Sequence, residues 1–121
     1  MERVTGIGGF FFCAADPEGL AQWYAERLGV NEAPKDYDSP AWTQEAGETV
    51  FAPFEQDSEM IGPADNTWMI NFRVTDLDAI VAQLGGAGED VSVDPETYPN
   101  GRFARLDDPE GNGIQLWEPL G

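Results

Sequence analysis

The side chains able to do chemistry in this chain of 121 residues form a short set, because histidine is absent. Without imidazole there is no Ser-His-Asp or Cys-His triad, and the usual nitrogen ligands for zinc, iron and nickel are missing. The single cysteine, Cys13, can neither close an intrachain disulfide nor build a thiolate zinc site. Acid–base work falls to carboxylates, Tyr, Lys or Arg, or to a metal held by oxygen. Two motif-like stretches carry no site. Gly6-Ile7-Gly8-Gly9 precedes an apolar strand, whereas a phosphate loop follows a strand and opens a helix. Asp107-Asp108-Pro109-Glu110 lacks the spacing of a calcium loop and reads as a turn.

Charge narrows the partners. Six Lys and Arg stand against 23 Asp and Glu, a formal net charge of −17. Such a surface repels phosphate backbones and anionic lipid, so neither nucleic acid nor membrane is expected as a partner. A neutral or cationic small molecule, or a metal cation, is compatible with that field; salt adaptation accounts for the acidity equally well. The apolar run Ile7–Ala15 after Arg3 has the look of a signal-peptide core. It leads straight into a capped helix start with no clear cleavage site, so a cytoplasmic protein is expected.

The elements that must position these groups follow from periodicity. Gly9–Ala14 predicts a short buried strand. Asp16 as N-cap, Pro17 at the first helical position and the face Leu20, Trp23, Tyr24, Leu28 predict a helix closed by Gly29. Residues 34–40 read as loop, Trp42–Ala46 and Thr49–Glu55 as a hairpin, and Gln56–Asn66 as a linker. Thr67–Thr75 alternates, with Ile70, Phe72 and Val74 on one face and Met69, Asn71 and Arg73 on the other. Asp76 caps a second helix whose stripe is Leu77, Ile80, Val81 and Leu84, stopped by Gly85 and Gly86. Val91–Tyr98, Arg102–Leu106 and Ile114–Glu118 predict three strands, with Asn100-Gly101 as a type I′ turn.

Asp76 stands 60 residues after Asp16, and the same offset matches Phe10 with Ile70, Phe12 with Phe72 and Leu20 with Ile80. This self-similarity predicts an α+β fold of two tandem βαβββ modules, residues 1–60 and 61–121, joined as a single domain whose curved mixed sheet surrounds a cavity. Gly101-Arg102-Phe103, the turn Asp107-Asp108-Pro109-Glu110-Gly111-Asn112 and the strand Ile114-Gln115-Leu116-Trp117-Glu118-Pro119 resemble the vicinal oxygen chelate superfamily. That group includes glyoxalase I, bleomycin-resistance proteins and extradiol dioxygenases. Gly6–Phe10 and Asp16-Pro17-Glu18 leading to Trp23-Tyr24 carry the resemblance through the first half.

The resemblance implies four metal-ligand positions, which fall here on Gly9, Glu55, Met69 and Glu118. Gly9 and Met69 cannot ligate a hard cation, so no metal and no cofactor are expected; Mg²⁺ or Mn²⁺ held weakly by the two glutamates is the alternative. An iron dioxygenase needs a two-His-one-carboxylate triad, which this chain lacks. With Glu118 pointing inward, alternation would put Leu116 and Ile114 in the cavity and Gln115 and Trp117 against the helices. The expected pocket is Phe11, Cys13, Met69, Asn71, Arg73 and Leu116, with Phe51 nearby and Tyr98 and Trp42 at the rim. The leading expectation is a homodimeric protein resembling the bleomycin-resistance branch, binding a small cationic or aromatic molecule. The alternative is a lyase or isomerase with Glu55 or Glu118 as general base beside Arg73 or Asn71. A domain kept for protein interaction alone is a third reading.

Overall fold

The computed structural model describes residues 1–62 and 65–120; Pro63 and Ala64 of the expected linker, and Gly121, lie outside them. Helix α1 (Pro17–Leu28) starts as expected, with the Asp16 carboxylate accepting the Gly19 N–H at 3.1 Å, and ends on Gly29 in the left-handed region. Strand β1 (Met69–Arg73) leads into α2 (Leu77–Gly86), which Asp76 caps through the Ala79 N–H. The pair Gly85-Gly86 forms the end of α2, as expected. Both glycines are its last helical residues, and the chain turns at Ala87 and at Gly88, the latter with φ of 91°.

Strands β2 (Ser92–Val93), β3 (Gly101–Asp107) and β4 (Gly113–Pro119) complete a four-stranded mixed sheet in the order β1-β4-β3-β2. β1 runs parallel to β4, and β3 is antiparallel to both its neighbours. The crossover from β1 through α2 reproduces the βαβββ pattern expected for the second half. Its tight turn is shifted by one residue: Tyr98 and Gly101 exchange both backbone hydrogen bonds, so Pro99 and Asn100 are the central pair. Among the described residues none other than glycine has positive φ, which excludes type I′ here, and proline at the first central position fits an ordinary turn instead.

One face of this sheet is covered. Ala104, Leu106, Ile114 and Leu116 form a single buried cluster with Leu77 and Leu84 of α2 and with Leu20 and Tyr24 of α1. Ile70, Phe72 and Val74 of the β1 segment pack against it, as their alternation predicts. The turn between β3 and β4 ties α1 in place. Asp108, 4% exposed, accepts hydrogen bonds from the Tyr24 hydroxyl at 2.6 Å, from the Glu110 and Asn112 amides, and from the Asn112 side chain. Glu110 accepts the Ala15 and Asp16 N–H groups at 2.7 and 2.9 Å. The Asp-Pro-Glu-Gly-Asn motif is therefore a docking device for α1, and α+β architecture holds.

The first half departs from its expected form. Among its described residues α1 and a 3₁₀ turn (Glu59–Ile61) are the regular elements; Gly9–Ala14, Trp42–Ala46 and Thr49–Glu55 form no strands. The physical reason lies in where α1 goes. Having joined the second half's core, it leaves those segments without a helix to bury a sheet face against, and an uncovered hairpin is marginal in water. Phe10 and Phe12 instead settle on Trp68, with ring centroids 5.0 Å away in both cases, and Phe12 meets Tyr24. Phe11 and Phe51 remain 92% and 86% exposed.

Candidate ligand-binding face

The face of the sheet turned away from the helices is built by register. Met69, Asn71 and Arg73 on β1 stand beside Gly113, Gln115 and Trp117 on β4, which stand beside Asp107, Arg105 and Phe103 on β3. Ser92 and Asp94 extend the same face next to Arg105 and Phe103. This corrects the expected orientation of the last strand. Leu116 and Ile114, expected in the cavity, are fully buried under the helices, whereas Gln115 and Trp117 lie on the open face. In the parallel pairing Leu116 and Ile114 share parity with Phe72 and Ile70, and apolar side chains of one parity belong to one layer.

Glu118 follows Leu116 to the helix-covered side. Its Oε1 accepts the Leu77 N–H at 2.8 Å, one of the orphan donors at the start of α2. Arg102, its cross-strand neighbour, is engaged on that side by Asp78 at 3.0 Å. The guanidinium holds the Asp78 carboxyl below the usual carboxylate range. Glu55 is exposed, with its carbonyl accepting the Ser58 N–H. The two glutamates that the family pattern singles out thus have separate surroundings. Among the described residues no three His, Cys, Asp or Glu side chains come together as a metal-holding group.

The other expected pocket residues divide. Met69, Asn71 and Arg73 are on the open face as the β1 alternation predicts. Asn71 donates to the Gln115 side chain at 2.7 Å, and Arg73 donates to the Glu45 carbonyl at 3.0 Å, pinning the Glu45–Gly47 bend of the first half. Tyr98 sits at the end of this face, its hydroxyl donating to Asp94 at 2.9 Å. That hydrogen bond, followed by desolvation, pushes its phenol up to about 12. Phe11 and Cys13 are exposed, on the opposite parity from Phe10 and Phe12. Trp42 lies edge-on to Phe72 at 6.3 Å, beside a helix-side ring instead of at a rim.

An aromatic ladder missing from the expected site runs along the open face. Tyr98 meets Phe103 edge-on at 5.9 Å, and Phe103 stacks nearly parallel on Trp117 at 6.4 Å. Trp117 is held by its Nε1–H donating to the Asn100 carbonyl at 2.8 Å and is 7% exposed. Beside the ladder lies a shallow cavity of about 280 Å³ lined by Ser92, Asp94, Pro95, Phe103, Arg105 and Gln115. The Phe103 ring, the Gln115 amide and Arg105 around one hollow can hold a planar organic molecule by stacking and orient it by hydrogen bonds. The signal was present in β3: Ala104 and Leu106 claim the core, which turns Phe103 and Arg105 outward.

Comparison with known proteins bears on the family and the fold. A family model described as a glyoxalase-like domain matches residues 9–117. The anthracycline biosynthesis protein DnrV of Streptomyces peucetius is 32% identical over 119 residues, covering 95% of this chain. The chain spans 42% of the length of DnrV. Among solved structures, TnmS3, an antibiotic binding protein from Streptomyces sp. CB03234, superposes with a TM-score of 0.61 at 23% identity. That match covers 99% of this chain and 100% of TnmS3. A putative glyoxalase family protein from Bacillus anthracis superposes with a TM-score of 0.57 at 22% identity, covering 89% and 88% of the two chains. Those two likenesses concern the fold, while the match over residues 9–117 carries the assignment: the chain belongs to the glyoxalase-like domain family of the vicinal oxygen chelate superfamily.

Proposed function

We propose that this protein binds a small planar organic molecule on the open face of its sheet, without a catalytic metal or cofactor. The observation that carries the reading is the Tyr98–Phe103–Trp117 ladder beside a cavity flanked by Gln115 and Arg105. The names of two relatives support it, one an antibiotic binding protein and the other a protein of anthracycline biosynthesis. Gly9 and Met69 at two family ligand positions, and Glu118 engaged with Leu77, support a metal-free site. The same engagement weighs against the lyase or isomerase alternative, because Glu118 would have to leave the α2 terminus before acting as a base or holding Mg²⁺ or Mn²⁺.

In this reading the two halves act as one domain, in the cytoplasm, as a homodimer. Exposed Phe11, Val50 and Phe51 are the surface that supports the dimer. Among the described residues no helix is long and apolar enough to cross a membrane. The test is calorimetric titration with a panel of planar aromatic antibiotics, repeated on Phe103→Ala and Gln115→Ala. A ligand whose affinity falls about tenfold or more in both folded variants is the expected result. Absence of any ligand, or ligands indifferent to both substitutions, overturns the proposal. Sedimentation equilibrium tests the dimer separately.

A further inference from the structure

The net charge suggests that a cation would be the natural ligand, yet the open face is organised otherwise. Two of the chain's six basic side chains, Arg73 and Arg105, stand on it. Among the described residues the cations that pair with carboxylates are Arg27, Lys35 and Arg102, all elsewhere. Arg73 and Arg105 are held instead by main-chain carbonyls, those of Glu45 and Met60. In a chain with 23 carboxylates a salt bridge is the easy outcome, so carbonyl anchoring orients each guanidinium while leaving its charge uncancelled.

Among the described residues the acids on this face form no ion pair with them. Asp94 lines the same cavity, with its two oxygens taken by the Glu96 N–H and the Tyr98 hydroxyl. Asp107 is exposed at the far end of β3, beside Gly113. Arg73 and Arg105 are separated by two strand spacings and offset by two residues, roughly 12 Å between their Cα atoms. Phe103, Trp117 and Gln115 occupy the ground between them. This is the layout for a flat ring system with negative or strongly accepting oxygen at its edges.

Building on the proposed binding face, we infer that the ligand class is a planar aromatic anion, a carboxylate or phenolate, selected by Arg105 and Arg73 against the sign of the whole protein's field. The test uses three matched probes on the full chain: anthraquinone-2-carboxylate, its neutral carboxamide, and a trimethylammonium analogue of the same ring. The carboxylate is expected to bind about tenfold or more tighter than the amide, and the cation weakest. Arg105→Gln and Arg73→Gln should bring carboxylate and amide toward parity by weakening the carboxylate more than the amide; Arg105→Lys should restore part of the preference. Three probes binding alike, a cation preferred, or a preference untouched by both arginine variants overturns the inference while leaving the binding face intact. Failure of all three probes to bind, or binding indifferent to Phe103→Ala, overturns the face itself and the inference with it.

Discussion

Glu118 and Leu77 are joined by a 2.8 Å hydrogen bond from the Leu77 amide to the Glu118 carboxylate, so the last strand of the sheet closes the first turn of α2. Asp76 satisfies a second amide of that turn, at Ala79. Glu110 does the corresponding work for α1 at Ala15 and Asp16. Each helix therefore begins against a glutamate from the β4 hairpin, and two acids that a family pattern would assign to chemistry or to a turn act in packing.

Glu118→Ala should consequently cost stability without costing affinity. Losing a charged acceptor at a helix N-terminus is worth about 1 kcal/mol, or roughly 3–6 °C in Tm for a domain of this size. Glu118→Gln, which keeps an acceptor, should lie between wild type and Glu118→Ala. Thermal denaturation with and without bound ligand reads both effects. A loss of affinity in Glu118→Gln at unchanged Tm would return this residue to the binding site.

The sequence was legible where one face of an element had a single fate. Leu77 and Leu84 on α2, and Ile70, Phe72 and Val74 beside them, were identifiable because purely apolar parity can only meet helices. Strand β4 was harder: Ile114 and Leu116 alternate with Gln115 and Trp117, and a tryptophan suits either layer. An inward-pointing Glu118 implies the opposite parity from the one found, because Glu118 lies with Leu77 on the helix side. Register with β1 resolves the choice, and register is a long-range property that no local pattern contains. The first half differs from its expected form for a related reason. Its segments have strand-like composition, but strands need both a partner edge and a covered face, and α1 covers the other half.

Tyr24 and Asp108 make a buried polar contact, and their link predicts an alkaline weakness. Burial, and then the hydrogen bond to Asp108, push the Tyr24 phenol well above its ordinary value of 10.0. The folded state thus holds this proton more tightly than the unfolded chain does. The stability it contributes is complete below about pH 10 and is lost progressively as pH rises further. Urea midpoints should fall as pH rises above about 10, and Tyr24→Phe should flatten that fall. At neutral pH the same variant should lose about 1–3 kcal/mol, since a buried carboxylate loses one donor. Equal slopes for wild type and variant would show that another group governs the alkaline loss.

Two glycines that face close neighbours should respond in opposite ways to alanine. At Gly101, with φ of 139°, a Cβ would meet the Glu118 carbonyl and lie 2.7 Å from Trp117 Nε1. Backbone cannot yield there, so Gly101→Ala should cost about 2 kcal/mol or more and disturb the Trp117 emission spectrum. At Gly47 the obstacle is the Arg73 guanidinium, the far end of a flexible side chain. Gly47→Ala should leave Tm within about 1 °C, a surface-scale effect, while displacing Arg73 from the Glu45 carbonyl. Denaturation curves for the pair make the comparison directly, and a large loss in Gly47→Ala would show that the Glu45–Gly47 bend is more rigid than the Arg73 contact implies.

Phe11 and Phe12 are adjacent in sequence and opposite in environment, which makes them a test of how the first half is held. Phe12 is in contact with Trp68 and Tyr24, so Phe12→Ser removes aromatic packing and should cost about 1.5–3 kcal/mol. Phe11, 92% exposed, touches little within its own chain, and Phe11→Ser should change monomer stability by no more than about 0.5 kcal/mol. Urea denaturation at low protein concentration isolates that intrachain effect, and repeating it at high concentration exposes any contribution from association. A loss for Phe11→Ser as large as that for Phe12→Ser, at every concentration, would mean that Gly9–Ala14 is covered on both faces by its own chain and that the strand expected there exists.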